Sequence, residues 1–466
     1  MNAVMDRTVT AAEAPLPNPL VRAPILATLL RLALPNLAAM LVTALVAIAE
    51  TAYVGILGTT PLAAIALVFP MVMLMQMLSA GAMGGGVSSA ISRALGAGDK
   101  ARADLLAMHA LVIGAAAGLV FGVMFVTFAR PILRGLGGGG AVLDHAVAYA
   151  NVALTGTLAI WLTNTLASIV RGTGNMRVPS LALLGVALLQ MALGGVFGLG
   201  LGPVPRFGLA GVALGLVVGY SAGTLFLLWF LYSGRLRVRL SLRGLSLRGE
   251  MFLDILKVGL VAAFSPLQSV LTVLILTAFV ARFGTEALAG YGIGARLEFL
   301  LVPIAFAIGV ACVPMVGMAI GADDVARARR VAWTGGAVSA VALGVISLGA
   351  SLVPHLWSAL FTADPAVRAA ANSYLRFAGP GYAFVGLGLC LYFASQGAGK
   401  VLGPVLAATV RLGIVALGGA AMSWSGAPLW ALFMLVGVSL TAYGLATAAA
   451  VYATPWGHRP RIQAAA

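Results

Sequence analysis

Only thirteen acidic residues occur in this 466-residue chain, and Glu50 is the one set well inside an apolar stretch of the first half. Asn36, Thr43 and Glu50 recur every seven residues, with Tyr53 three further on, so on a helix they share one face. A carboxylate in hydrocarbon is expensive and is functional by default, the more so when no basic residue lies within helical reach. Hydrocarbon favours the neutral acid, so such a group can load and release a proton as its surroundings open to either side. The competing reading is a structural acid hydrogen-bonded to neighbouring helices. A second embedded pair is Arg296 and Glu298, about a dozen residues past Glu286. Two residues apart, they point to different faces and do not simply pair with each other. Arg376, at comparable depth, is the expected partner of Glu298, either as a structural ion pair or as part of a substrate or coupling site. Tyr149, Asn164 and Met75 complete the candidate substrate cavity, with Met71, Met73, Met75, Met77 and Phe69 read either as packing or as a pliable binding surface. Arg411 is expected to snorkel toward the nearer membrane face.

Other chemistry finds no support. His109, His145, His355 and His458 have no metal-ligand spacing, and no nucleophile–base set can be assembled at one depth. Gly137–Gly140 follows no strand and precedes no Lys-Ser/Thr pair, so it is not a phosphate cradle. Cys312 and Cys390 sit in apolar runs and read as small buried hydrophobes. Neither an enzyme, nor a metal, nor a cofactor is expected.

The elements that carry these residues must lie in lipid. Charged residues make up 9% of the chain and hydrophobic ones 61%, with a mean hydropathy of +1.05; a soluble domain carries roughly 25% charged residues. Disorder, a disulfide scaffold and a nucleic-acid module need more charge or more cysteine. Twelve apolar stretches are long enough to span a bilayer, six from Leu32 to Tyr232 and six from Val258 to Tyr452. With both termini cytoplasmic, twenty of the 28 basic residues fall in inside segments, five outside and three within spans, the bias expected of the positive-inside rule. The expected organisation is a cytoplasmic tail 1–31, an N lobe 32–233, a basic linker 234–257, a C lobe 258–453 and a cytoplasmic tail 454–466. The first 24 residues lack the apolar core of a signal peptide. The turns Arg171–Pro179 and Gln396–Pro404 read as cytoplasmic helix stops.

The chain also repeats itself. A shift of 225 residues lays Ala94-Leu-Gly-Ala-Gly-Asp99 on Ala319-Ile-Gly-Ala-Asp-Asp324, Arg171-Gly-Thr-Gly174 on Gln396-Gly-Ala-Gly399, and Tyr149 on Tyr374. One extra residue lays Gly58-Thr59 on Gly284-Thr285. Two six-helix repeats that start on the same side are parallel repeats about an axis along the membrane normal, with a cavity between lobes that rock. Glu50 maps near Leu276, so the acid of the first repeat has no counterpart and a cation site is expected in the first lobe alone.

Together with Glu50-Thr-Ala-Tyr-Val-Gly55-Ile-Leu-Gly58 and Tyr291-Gly-Ile-Gly-Ala-Arg296-Leu-Glu298, these segments resemble the multidrug and toxic compound extrusion (MATE) family, most closely its DinF-type bacterial branch. The resemblance implies an all-α membrane protein of twelve helices in two lobes, a monomer in the bacterial inner membrane among lipids. It further implies export of cationic or amphipathic organic molecules in exchange for H⁺ or Na⁺, with no nucleic-acid partner. Relatives usually have Asp where Glu50 stands. Their second acid and their Asn on the fifth helix fall on Gly194 and Gln190, which adds Gln190 to the coupling set and leaves one carboxylate, better suited to H⁺ than to Na⁺. A lipid-linked saccharide flippase of the wider superfamily is the other alternative; several embedded positive residues would be expected of it.

Overall fold

The computed structural model describes residues 19–240 and 246–457, all in helices and their connections. Arg7, Arg243, His458, Arg459 and Arg461 lie outside the described residues. Among the described residues, eleven helices are long and apolar enough to span a membrane, twelve when one bent pair counts as a single span. In chain order they are α1 (Ile25–Leu57), α2 (Thr59–Gly96), α3 (Lys100–Gly135), α4 (Gly140–Thr155 with Thr157–Gly172, bent by 46°), α5 (Arg177–Leu199) and α6 (Leu209–Tyr232). The second set is α7 (Gly249–Ala281), α8 (Thr285–Gly321), α9 (Val325–Leu352), α10 (Pro365–Gly397), α11 (Leu402–Ser425) and α12 (Leu429–Ala453).

The repeat has a structural reason at two places. Gly58 (φ 120°) and Gly284 (φ 99°) stand directly before α2 and α8, and each turns the chain into that helix through a backbone conformation that other residues rarely adopt. Asp99 and Asp324 cap α3 and α9, each accepting the amide of the residue three ahead, Arg102 or Arg327, at 2.8 Å. The recurring aspartate of the Ala-Leu-Gly-Ala-Gly-Asp segment is therefore a helix start.

Helix interiors depart from regular spans. α2 passes through a π-helical turn at Met77–Met83 just before Gly84-Gly85-Gly86, and α10 is interrupted by a 3₁₀ turn at Gly379–Gly381. α1 starts at Ile25, seven residues before the apolar stretch recognised in the sequence, directly after Pro24. A short helix, Pro19–Arg22, precedes it, and Arg327 of α9 donates to the carbonyls of Leu20 (3.1 Å) and Ala23 (2.5 Å).

The two lobes exchange the beginnings of their first helices. Leu29 and Ala33 of α1 pack with Cys312, Val331 and Cys390 of the second lobe. Met251 and Ile255 of α7 pack with Val87, Leu106 and Ile169 of the first. The far ends of α1 and α7 return to their own lobes, Val54 beside Tyr149 and Val212, Leu276 beside Tyr291 and Phe433.

The lobes meet along a seam at one end. Gly81 faces Phe306 across it; further along, Gly86 abuts the backbone of Ile255 and Gly259, Gly96 abuts Met318, and Gly321 abuts Arg93. A Cβ at Gly96 would come within 2.2 Å of the Met318 carbonyl oxygen, so the glycine is what lets two backbones touch. From Gly81 to Gly96 the seam is about 22 Å long at 1.5 Å per residue. Ser89 donates to the carbonyl of Gln396, Arg93 binds Ser89, and Asp254 of α7 holds Arg102 (2.6 Å), Lys257 (2.5 Å) and Arg93 (3.8 Å). The other half of α2, Thr59–Gln76, packs on α4 of its own lobe. The lobes thus close at the end bearing the Gly96–Lys100 and Gly321–Asp324 turns.

Candidate functional site

Glu50 lies inside the first lobe. Its carboxylate accepts a hydrogen bond from Gln190 Nε2 of α5 at 2.8 Å and from Tyr53 Oη at 3.3 Å. α5 reaches α1 because glycines bring its other side against α6: a Cβ at Gly215 would lie 2.4 Å from Gly194 N, and one at Gly219 would lie 2.9 Å from the Val186 carbonyl oxygen. Gly194 also explains the geometry of Tyr53, since a side chain there would meet the phenol oxygen at 2.7 Å. The place where relatives are expected to carry a second acid is occupied by the Tyr53 hydroxyl. Among the described residues no salt bridge involves Glu50. Tyr149, which is buried, and Tyr220 lie within electrostatic reach of it. Glu50, Tyr53, Gln190 and Tyr149 are therefore brought together: one carboxyl group held by neutral donors, a set that can accept and release a proton without losing an ion-pair partner.

Two members of the α1 polar face are not brought to it. Thr43 is exposed and its hydroxyl donates to its own helix at the Ala39 carbonyl (2.9 Å), while Asn36 is buried beside the second-lobe part of α1 with Nδ2 unpaired among the described residues. Seven-residue spacing keeps a face but separates its members by about 10 Å per step, and the face drifts about 20° per heptad.

The candidate cavity residues are likewise dispersed. Met75 is fully buried in the first-lobe core, so packing and not a binding surface accounts for it, whereas Phe69 and Met73 are exposed. Asn164 is buried and donates to Ser79 in the π-helical turn of α2 at 2.8 Å. Arg376 is exposed and makes no salt bridge with Glu298. The expected pair is replaced by Tyr382, which donates to Glu298 at 2.7 Å and is itself hydrogen-bonded to Tyr374 at 2.8 Å. Arg296, also exposed, lies 5.3 Å from the Phe361 ring centroid, on the face away from Glu298 as the two-residue spacing requires. Arg411 is half-buried; its Nε is buried without a partner among the described residues, and the group lies within electrostatic reach of Tyr291 and Tyr374.

The second lobe thus has its own carboxylate–tyrosine set, built on α8 and α10 instead of α7. Sequence reading missed Tyr382, although the repeat already placed its neighbour Tyr374 opposite Tyr149. Gln76 and Tyr220, joined at 2.6 Å between α2 and α6, were missed as well, because nothing in their spacing links them.

Cys312 and Cys390 are fully buried with sulfur atoms 3.6 Å apart. Among the described residues no group of three His, Cys, Asp or Glu side chains is placed to hold a metal.

The model of the MatE family matches residues 35–196 and 262–422, one match in each repeat. An FAD transporter of Shewanella oneidensis is 23% identical over 376 residues, covering 81% of this chain and 82% of that protein. The multidrug export protein MepA of Staphylococcus aureus is 25% identical over 428 residues, covering 89% and 91%. A solved structure described as the outward-facing conformation of a multidrug resistance MATE family transporter of the MOP superfamily superposes with a TM-score of 0.80 at 25% identity, covering 93% of this chain and 98% of that one.

Proposed function

The chain belongs to the MatE family, and from that premise we propose that it is a secondary active exporter of cationic or amphipathic organic compounds, driven by entry of H⁺ at Glu50. The observation that carries the reading is the Glu50 carboxylate, enclosed between α1 and α5 and held by Gln190 and Tyr53 with no basic partner among the described residues. Neutral donors let the group change charge without stranding a cation, and a lone carboxylate offers a Na⁺ ion few oxygen ligands. The export of several drugs named for the S. aureus relative supports the substrate class.

The bias of basic residues toward the proposed inside segments supports a cytoplasmic position for the seam end. The structure then corresponds to a cavity closed to the cytoplasm, and rocking of the lobes parts the seam to admit substrate. The lobes proposed are 32–233 and 258–453, with α1 and α7 each beginning on the other lobe.

Reconstituted vesicles test the coupling. An imposed pH gradient without Na⁺ should drive uphill movement of an ethidium-like dye, and a Na⁺ gradient at equal pH should not. A strict need for Na⁺ would move the same site to the Na⁺-coupled alternative. The Shewanella relative favours a second reading, export of a flavin dinucleotide. Competition of FAD with the dye for the pH-driven flux decides between them.

A further inference from the structure

Where α6 ends, the chain crosses the seam end of the first lobe as a strap. Gly234 (φ 72°) releases the backbone from the helix, and from Arg235 to Leu240 the side chains alternate in burial. Val238 and Leu240 are buried in the first-lobe core and Leu236 packs partly against it, while Arg235, Arg237 and Arg239 are exposed. The backbone that carries them is fastened to α3. The Arg239 amide donates to the Asp104 carboxylate, near the start of that helix, at 2.7 Å. Farther along the linker, the Arg248 amide donates to Nε2 of the buried His109, also on α3, at 2.9 Å. Three guanidinium groups are thus held outward in a row, and none makes an ion pair among the described residues. The acid beside them, Asp104, is engaged by the Arg239 backbone.

What the row faces follows from the helix the strap leaves. Trp229 and Tyr232, in the last turn of α6, are more than half exposed. The lobes are closed at this end, so an exposed ring there faces the bilayer and not a cavity between lobes. Arg235 lies over the Trp229 ring, 5.8 Å from its centroid, which sets the first guanidinium on the lipid side of the first lobe. Exposed Trp and Tyr rings settle at the headgroup level, and basic side chains directly beyond that level meet lipid phosphates. An arginine fork matches a phosphodiester with two parallel hydrogen bonds, and each basic residue at an anionic surface strengthens binding about fivefold. A zwitterionic headgroup carries its own cation and offers no net charge. An acidic protein or a nucleic acid would need the row turned away from the bilayer, against the placement of Arg235 over Trp229. We propose that Arg235, Arg237 and Arg239 form a binding site for the headgroups of anionic phospholipids in the leaflet at the seam end. The excess of basic residues on one side counts charges; the alternation with buried Val238 and Leu240 is what makes these three a row. The site goes beyond the transport reading and does not depend on which substrate or coupling ion is used.

Trp229 reports on its own surroundings. The full chain is reconstituted in phosphatidylcholine vesicles that contain a fixed share of brominated phosphatidylglycerol or, in parallel, the same share of brominated phosphatidylcholine. The chain has seven tryptophans, so the signal of Trp229 is taken as the difference from Trp229→Phe. Its quenching should show a preference of about fivefold or more for phosphatidylglycerol. Replacing all three arginines by Gln should remove the preference, and replacing them by Lys, which keeps the charge, should retain most of it. Arg206→Gln, exposed before the opposite end of α6, should change nothing. Equal quenching by the two lipids, a preference that survives the Gln substitutions, or an equal loss in Arg206→Gln would each overturn the assignment. So would inorganic phosphate that erases the preference where chloride at equal ionic strength does not, because the row would then hold a soluble anion.

Discussion

A carboxyl group held only by neutral donors differs from one held by a cation in what happens when it is neutralised. At Glu50 the amide of Gln190 and the hydroxyl of Tyr53 lose one charged acceptor each but strand no buried cation. Glu50→Gln should therefore accumulate and insert normally while failing to drive dye export under an inward proton gradient, whereas Glu50→Asp should retain part of the activity; full proton-driven export by the Gln variant would remove Glu50 from the coupling role. The second-lobe acid answers to different neighbours. Tyr382 donates to Glu298 and is fixed by Tyr374, so Tyr382→Phe should lower unfolding stability by about 1.5–3 kcal/mol, the range for a hydrogen bond to a charged group. Loss of export at unchanged thermal stability in Tyr382→Phe would instead make this cluster part of the transport chemistry. Arg376→Ala should leave stability within about 0.5 kcal/mol, as expected of an exposed side chain with no ion-pair partner among the described residues.

At the scale of the elements, Asp254 concentrates the charge of the seam. It faces Arg93, Arg102 and Lys257, so Asp254→Asn leaves three cations around one neutral amide and weakens closure. A cysteine at Ser89, which the closed seam buries, should then be alkylated several-fold faster from the cytoplasmic side than in the presence of Asp254; an unchanged rate would show that the glycine contacts alone hold the seam. How these elements were legible follows from what each depends on. Apolar length and the 225-residue repeat are properties of sequence alone, and they gave the spans and the correspondence of Gly58 with Gly284, while the place of Gln190 beside Glu50 followed from the family resemblance. The π-helical turn of α2, the exchanged beginnings of α1 and α7, and the Tyr382–Glu298 contact depend on which helices become neighbours. A charge count gives depth, not direction, which is why Arg376 was paired with Glu298. Arg171 read as part of a helix stop because its turn does end a helix; only the approach of the second lobe shows that its guanidinium is enclosed.

For the whole molecule, the proposed orientation and the proposed motion can be checked separately. Cysteine at Gly138 should react with an impermeant thiol reagent in intact cells and cysteine at Gly98 should resist it; the reverse would invert the assignment of the basic end to the cytoplasm. The motion rests on the seam. Ala97 and Ala322 occupy equivalent places in the two repeats, both exposed at the closed end, and a Cβ at Gly321 would lie 2.9 Å from the Ala97 amide nitrogen, so the two turns touch across the seam. If substrate enters by parting of the lobes at this end, joining the turns must stop transport without disturbing either lobe. Cysteines at Ala97 and Ala322, in a background where Cys312 and Cys390 are serine, should be bridged by a short reducible bifunctional thiol reagent. Bridging should abolish pH-driven dye export, and reduction should restore it. Either single cysteine treated alike should keep its activity, which separates locking from modification. Undiminished export by the bridged protein would mean that the two lobes need not separate at the basic end, and that the seam is a permanent joint of the fold.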